Sequence, residues 1–242
     1  MMNGLLFRRP FLFTFMKSGV RIKRKRGKIL MHEATKKYYE KRGNILVKNL
    51  QSRHFDAYYC ETREEALKKA LELIPEGASV GWGGALSAEQ IGLMQALHAG
   101  NYAPIDRSLA KSQEEREQMM RDMMFCDVFL TGANGLSLDG QMVNIDGTGN
   151  RVAATIYGPK SVIVIAGMNK VEDSLEDAIT RARTVAAPMN NQRFNNDNPC
   201  STTGTCGNCK NLTCICNQIV ITRHCRPVGR IKFILVGEEL GL

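Results

Sequence analysis

Several signatures are missing from the sequence, and each absence removes a class of function. No stretch approaches ~20 uninterrupted apolar residues, so no membrane-spanning helix is expected. There is no G-x-S-x-G, H-E-x-x-H, G-x-G-x-x-G or Walker lysine, so no serine-hydrolase, zincin, dinucleotide or P-loop site is indicated. The four histidines (His32, His54, His98, His224) form no i, i+4 pair and read as structural. Prolines number only seven, and hydrophobic and charged residues stand at 43% and 24%. That balance excludes collagen-like, low-complexity and wholly disordered chains. Acidic residues are absent from positions 1–30, which hold nine of the 33 basic residues. The other 24 basic residues match the 24 acidic ones. The +9 charge therefore belongs to the leader and gives no sign of a nucleic-acid-binding face.

What is present is enough chain, 242 residues, for one large domain that buries ~70–75% of its unfolded surface without needing disulfides. The leader is a poor signal peptide, because Arg8, Arg9 and Pro10 interrupt its apolar stretch and no A-x-A-like site ends it. It reads as a dispensable tail or an upstream mis-called start; a basic arm for RNA or membrane is the other reading. Met31 opens an ordinary amphipathic helix, so the domain is set at 31–242. The cytoplasm is the expected compartment.

Periodicity predicts helices over 33–50, from the Thr62–Glu65 capping box to about Ile74, from a second box at Ser87, and from the Ser112–Glu115 box through Met124. Two more are predicted over 150–157 and 173–187, the last with Leu175, Ala178, Ile179, Ala182 and Val185 inward. Strands are predicted at 55–60, 78–81, 127–131, 141–145, 161–166, 218–222 and 230–236. Ser161–Ala166 is a continuous apolar run, the mark of a strand covered on both faces. Helices alternating with short apolar strands predict an α/β sheet with a mostly parallel centre.

Three strands run into polar loops: Trp82–Ser87, Thr131–Asn134 and Gly167–Lys170. Ligands in open α/β sheets bind outside the carboxyl ends of the strands, so parallel strands would bring these loops to one edge. Gly83 and Gly84 permit close backbone approach, and the helix start at Ser87 offers N–H groups to an anion. The plainer reading is a turn with Ser87 as cap. In Asn144–Arg151, Gly147 and Gly149 keep a turn open while Asn144, Asp146, Asn150 and Arg151 supply amide, carboxylate and guanidinium groups. A substrate carboxylate suits Arg151; a turn with Asp146 paired to Arg151 is the alternative. Asp146 is the candidate general base. Thr131, Asn134, Lys160, Asn169 and Lys170 complete the candidate binding set, whereas Arg181 and Arg183 read as a solvated helix face.

Six of the eight cysteines lie between 200 and 225. Cys60 and Cys126 read as buried thiols. Cys206-x2-Cys209 lets two thiolates share one metal or cluster, and Cys200 and Cys216 could complete four ligands, with Cys214 as an extra. An iron–sulfur cluster, zinc, a redox dithiol and free thiols all remain open.

The stretch Thr131–Ala154 resembles the LUD-domain (lactate-utilisation) family. So do Tyr157-Gly-Pro-Lys160, Gly167-Met-Asn-Lys170, Arg181-Ala-Arg183, Ala186-Ala-Pro-Met-Asn190 and Arg230–Leu242, and the similarity covers about 31–242. Pro199-Cys200, Thr203-Gly204-x-Cys206-x-x-Cys209 and Ile215-Cys216-Asn217 match the tail pattern of single-domain members, and Cys214 is additional. The resemblance implies a three-layer α/β sandwich with a mostly parallel central sheet, like the NagB/RpiA/CoA-transferase group, carrying a Cys-rich loop at 199–217. It also implies a component of L-lactate (or related hydroxy-acid) oxidation to pyruvate, with a small carboxylate substrate and iron–sulfur partner proteins. Homodimer formation is left open. The alternative is a non-redox ligand-binding or regulatory protein, or a transferase or hydrolase acting on a phosphorylated or acyl-CoA substrate, with Glu89 as candidate carboxylate nucleophile.

Overall fold

Alternation along three apolar strands builds two cores on one sheet. The computed structural model describes residues 31–242, so the leader assigned to 1–30 lies outside the described residues. In β4 (Val128–Thr131), β7 (Ser161–Gly167) and β10 (Ile231–Val236), neighbouring side chains leave opposite faces, and both faces are apolar. Phe129, Val162, Val164, Phe233 and Leu235 join Leu46 and Leu50 of α1 (Glu33–Ser52) in one core. Val128, Leu130, Ile163, Ile165 and Ile234 join Ala66 and Ala70 of α2 (Arg63–Leu73) and Leu93 and Leu97 of α4 (Leu93–Ala99) in the other.

With β1 (Asp56–Cys60), β2 (Ser79–Gly83) and β3 (Ala103–Ile105), these strands form a six-stranded sheet in the order β1-β10-β7-β4-β2-β3, parallel at every pairing. Helices on both faces complete the expected three-layer α/β arrangement. A second sheet, β8-β5-β6-β9, comprises β5 (Gly135–Ser137), β6 (Met142–Asp146), β8 (Val171–Glu172) and β9 (Gln218–Thr222). Leu136 and Met142 face the α1 core. Val143 and Ile145 face outward to Ala178 of α7 (Leu175–Arg181) and Ala187 of α8 (Ala187–Asn191).

Two capping boxes form as read: Thr62 Oγ1 accepts from Glu65 N at 3.2 Å, and Ser112 Oγ from Glu115 N at 3.1 Å. The third does not. Gly84 turns at φ +59°, so α3 (Leu86–Gln90) starts on Ala85, and Ser87 sits inside the helix with its buried Oγ lacking a partner. The helix expected over 173–187 also changes course. A π turn at Ala182–Ala186 holds an extra residue and shifts the helical phase, which buries Ala182 and Ala186 and leaves Val185 41% exposed. Among the described residues no helix is long and apolar enough to cross a membrane.

Candidate functional site

The central neighbours β7, β4 and β2 run parallel, so the loops after Gly83, Thr131 and Gly167 meet at one edge. Side-chain donors stitch them together through backbone carbonyls. Thr131 Oγ1 donates to Gly83 O at 3.0 Å, and Lys170 Nζ to Ala133 O at 3.0 Å. Arg181 donates from Nη1 to Asn134 O at 2.6 Å and from Nε to Asn169 O at 3.1 Å. Arg181 is therefore buried framework, which corrects its reading as a solvated face; Arg183 is exposed. The π turn lies immediately after Arg181.

Arg151 is the keystone. It lies in the first turn of α6 (Asn150–Tyr157), which begins after the left-handed Gly149. Its Nη2 donates to Asn134 Oδ1 at 2.9 Å and to Ile145 O, and its Nε faces Asp146 Oδ2 at 3.5 Å. Asp146 Oδ2 also accepts from Val152 N at 3.2 Å, so this carboxylate caps α6 and orients Arg151. The guanidinium packs against Gly84, where a Cβ would come within 3.0 Å of it. Burial lowers the Arg151 pKa, and Asp146 opposes that shift. Lys170 is almost fully buried, and desolvation, with the fields of Arg181 and Arg151, lowers its pKa to about 7.

Above this framework opens a cleft of about 450 Å³. Gly83, Gly84, Asn134 and Asp146 line it, as do Gly147, Asn150, Arg151 and Lys170. The other candidates lie elsewhere. Lys160 is exposed just before β7, at the amino edge of the sheet, because its Gly-Pro-Lys turn leads into the strand rather than out of it. Thr131 is spent on Gly83 O, and Asn169 Oδ1 accepts from Leu240 N at 3.0 Å. Asn144 is buried one strand step below Asp146, and its Oδ1 has no partner. Ser87 and Gly149 are likewise outside the lining, and Glu89 is exposed and off the cleft. Sequence reasoning missed Arg107, Arg116 and Arg193, which also line the cleft. They come from a turn after β3, from α5 (Gln113–Asp122) and from the chain after α8, and no local motif links them.

Beside the cleft, Cys200, Cys206, Cys209, Cys214 and Cys216 line a second cavity of about 80 Å³. This segment has one short helix, α9 (Pro199–Thr203). Buried amides hold it: Asn198 Nδ2 donates to Thr213 O at 2.9 Å, and Asn191 Nδ2 to Ser201 Oγ at 2.6 Å. Burial and then the neighbouring thiols push Cys216 up to about 12, and burial with Cys214 and Cys200 raises Cys209. A bound cation would reverse that mutual repulsion. Among the described residues no three His, Cys, Asp or Glu side chains are arranged to hold a single metal ion. The donor set is purely thiol, with no carboxylate or imidazole on the cavity, and such a set fits a soft metal or an iron–sulfur cluster. Cys60, Cys126 and Cys225 are buried elsewhere.

The two cavities share a wall. Ile145, Ala187 and Ile215 line both. Asn217 ties the end of the cysteine segment to the cleft rim, donating from N to Asp146 O and from Nδ2 to Gly147 O, each at 2.9 Å.

A model of the LUD domain matches residues 44–236. No curated protein matches the chain at a significant level. Among solved structures the chain is similar to a DUF162 family protein from Deinococcus radiodurans, with 10% identity and a TM-score of 0.47 over 83% of this chain and 97% of that one. It is also similar to eIF2B delta from Chaetomium thermophilum, with 13% identity and a TM-score of 0.32 over 56% of this chain and 54% of that one. The family match takes in both sheets, the loops at the strand ends and the cysteine segment, and the chain belongs to the LUD-domain family.

Proposed function

We propose that the cleft binds a small carboxylate, a 2-hydroxy or 2-oxo acid, and that the adjoining cysteine cavity holds a redox centre. Family membership associates the chain with lactate utilisation, and oxidation of L-lactate to pyruvate is the reaction proposed. The observation that supports this reading is the shared wall of Ile145, Ala187 and Ile215, which sets a thiol cavity directly beside a cationic cleft. Arg151 and Lys170 supply positive potential for a carboxylate. Two groups on the cleft can take a proton: the Asp146 carboxylate, held against Arg151, and Lys170 Nζ, whose pKa of about 7 suits proton transfer near neutrality.

Cys200, Cys206, Cys209 and Cys216, with Cys214 as a fifth thiol, would hold an iron–sulfur cluster, which supplies one-electron transfer when bound. Zinc is the alternative, as a structural staple. Lactate oxidation releases two electrons and two protons, so the acceptors are proposed to be iron–sulfur partner proteins. Anaerobic iron, zinc and sulfide analysis of the full chain tests the redox part. Stoichiometric iron and sulfide in a brown protein support it. A colourless protein with one zinc and no sulfide removes it and favours the non-redox reading.

A further inference from the structure

We infer that Arg107, Arg116 and Arg193 form a second anion subsite, so that the cleft takes a small acid carrying a phosphoryl group. This rests on the reading of the cleft as the ligand site, and it narrows the class of ligand.

Charge distribution supplies the first argument. Outside the leader the chain balances 24 basic residues against 24 acidic ones. The cleft does not share that balance: Arg107, Arg116, Arg151, Arg193 and Lys170 line it, against Asp146 alone among the acidic side chains. Such an excess in a concave site concentrates positive potential where a ligand would sit.

Donor availability supplies the second. Arg151 is committed to Asn134, Ile145 and Asp146, and Lys170 to Ala133 O. Among the described residues, by contrast, the side chains of Arg107 and Arg116 have no hydrogen-bond or ion-pair partner, and Arg193 reaches only Asn190 Oδ1 at 3.3 Å. Arg107 is half-buried, and desolvation with the neighbouring Arg116, Arg151 and Arg193 lowers its pKa, while Asp146 opposes the shift. Arg107 is the half-buried member of the group, and its charge, set among three other arginines with the one Asp146 carboxylate, is favoured when an anion arrives. Free guanidinium forks match phosphate oxygens, and several converging arginines suit a dianion better than a single carboxylate.

Size supplies the third. A volume of about 450 Å³ falls within the ~300–1,000 Å³ typical of pockets for organic ligands and leaves ample room beside a three-carbon acid. The acid end would face Lys170 and the Gly83–Gly84 turn, and the phosphoryl group would face Arg107.

Binding to the full chain, measured by calorimetry with L-lactate and 3-phospho-L-glycerate, which keeps the free 2-hydroxyl and carries its phosphoryl group on C3, tests the subsite. A single charge-assisted contact is worth ~10-fold or more in affinity. The phosphorylated acid should therefore bind tighter than L-lactate by at least that factor. The double variant R107A/R116A should lose that margin, so that the two acids bind alike, while Lys170→Met should weaken both ligands. Equal affinity for the two acids, or a margin that survives in R107A/R116A, overturns the subsite and leaves the cleft as a carboxylate site. Absence of binding by either acid, or indifference of both to Lys170→Met, overturns the cleft reading as well.

Discussion

The loops that line the cleft and the cysteine segment beside them are built on different terms. Residues 131–134 and 167–170 leave the ends of fully buried strands, and the donors of Thr131, Lys170 and Arg181 tie them carbonyl by carbonyl. Residues 199–217 contain one five-residue helix and take their shape from the buried amides of Asn191 and Asn198. A site on strand ends is preorganised before any ligand binds. A segment with little apolar burial depends on a few polar contacts and on whatever its thiols hold.

The sharpest way to break that contrast is Arg151→Met. It removes the donor to Ile145 O and the cation beside Asp146, and leaves Asn134 Oδ1 with Ile145 N alone, and removing one partner of a buried charged pair costs ~3–5 kcal/mol. Urea denaturation should show that loss across the whole domain; a loss near zero would mean that the cleft is not held as described. Next comes Asn198→Ala. Asn198 is buried and holds Thr213 through both ends of its amide, so its loss should cost ~1–3 kcal/mol. The damage should stay local, with faster hydrogen exchange in 199–217 and unchanged protection in β4 and β7. Equal loss of protection in both regions would abolish the distinction.

The pH dependence sharpens the comparison because the two regions titrate with opposite sign. Lys170 falls from 10.5 to about 7 on folding, so between those values the unfolded chain binds the extra proton and stability rises with pH. Cys216 rises from 9.0 to about 12, so in that range the folded chain binds the extra proton and stability falls with pH. Thermal melts from about 7 to 9.0 should therefore show a rise that Lys170→Met flattens. Anion affinity should fall as pH rises through about 7, since the ligand prefers the ammonium form. The smallest effect belongs to Lys160→Ala. The side chain is exposed at the far edge of the sheet, so stability should move by less than ~0.5 kcal/mol and calorimetric binding of L-lactate should not change.

Much of this was legible in the residues. The unbroken apolar run at Ser161–Ala166 announced a strand covered on both faces, and the polar loops read at Trp82–Ser87, Thr131–Asn134 and Gly167–Lys170 announced the edge that carries the cleft. Other features needed three dimensions. Ser87-x-x-Gln90 has the spacing of a capping box, yet the left-handed turn at Gly84 starts the helix before it. A π turn leaves no compositional mark, so Val185 read as inward. Arg181 looked like surface charge because its partners are backbone carbonyls, which no side-chain pattern reveals. Arg107, Arg116 and Arg193 are distant in sequence and meet only in the fold. The sequence reading did not single out Asn191 and Asn198, although the asparagine-rich run from 190 to 198 was the available signal.

If the cleft and the thiol cavity form one site, a ligand in the first must be felt in the second. The direct measurement is the rate at which the thiols of the 200–216 segment react with a chromogenic disulfide reagent, with and without saturating pyruvate, in the wild type and in Lys170→Met. Pyruvate should alter the rate in the wild type and have little effect in the variant. An unchanged wild-type rate, with pyruvate binding verified by calorimetry, would contradict the coupling and leave two neighbouring but independent pockets.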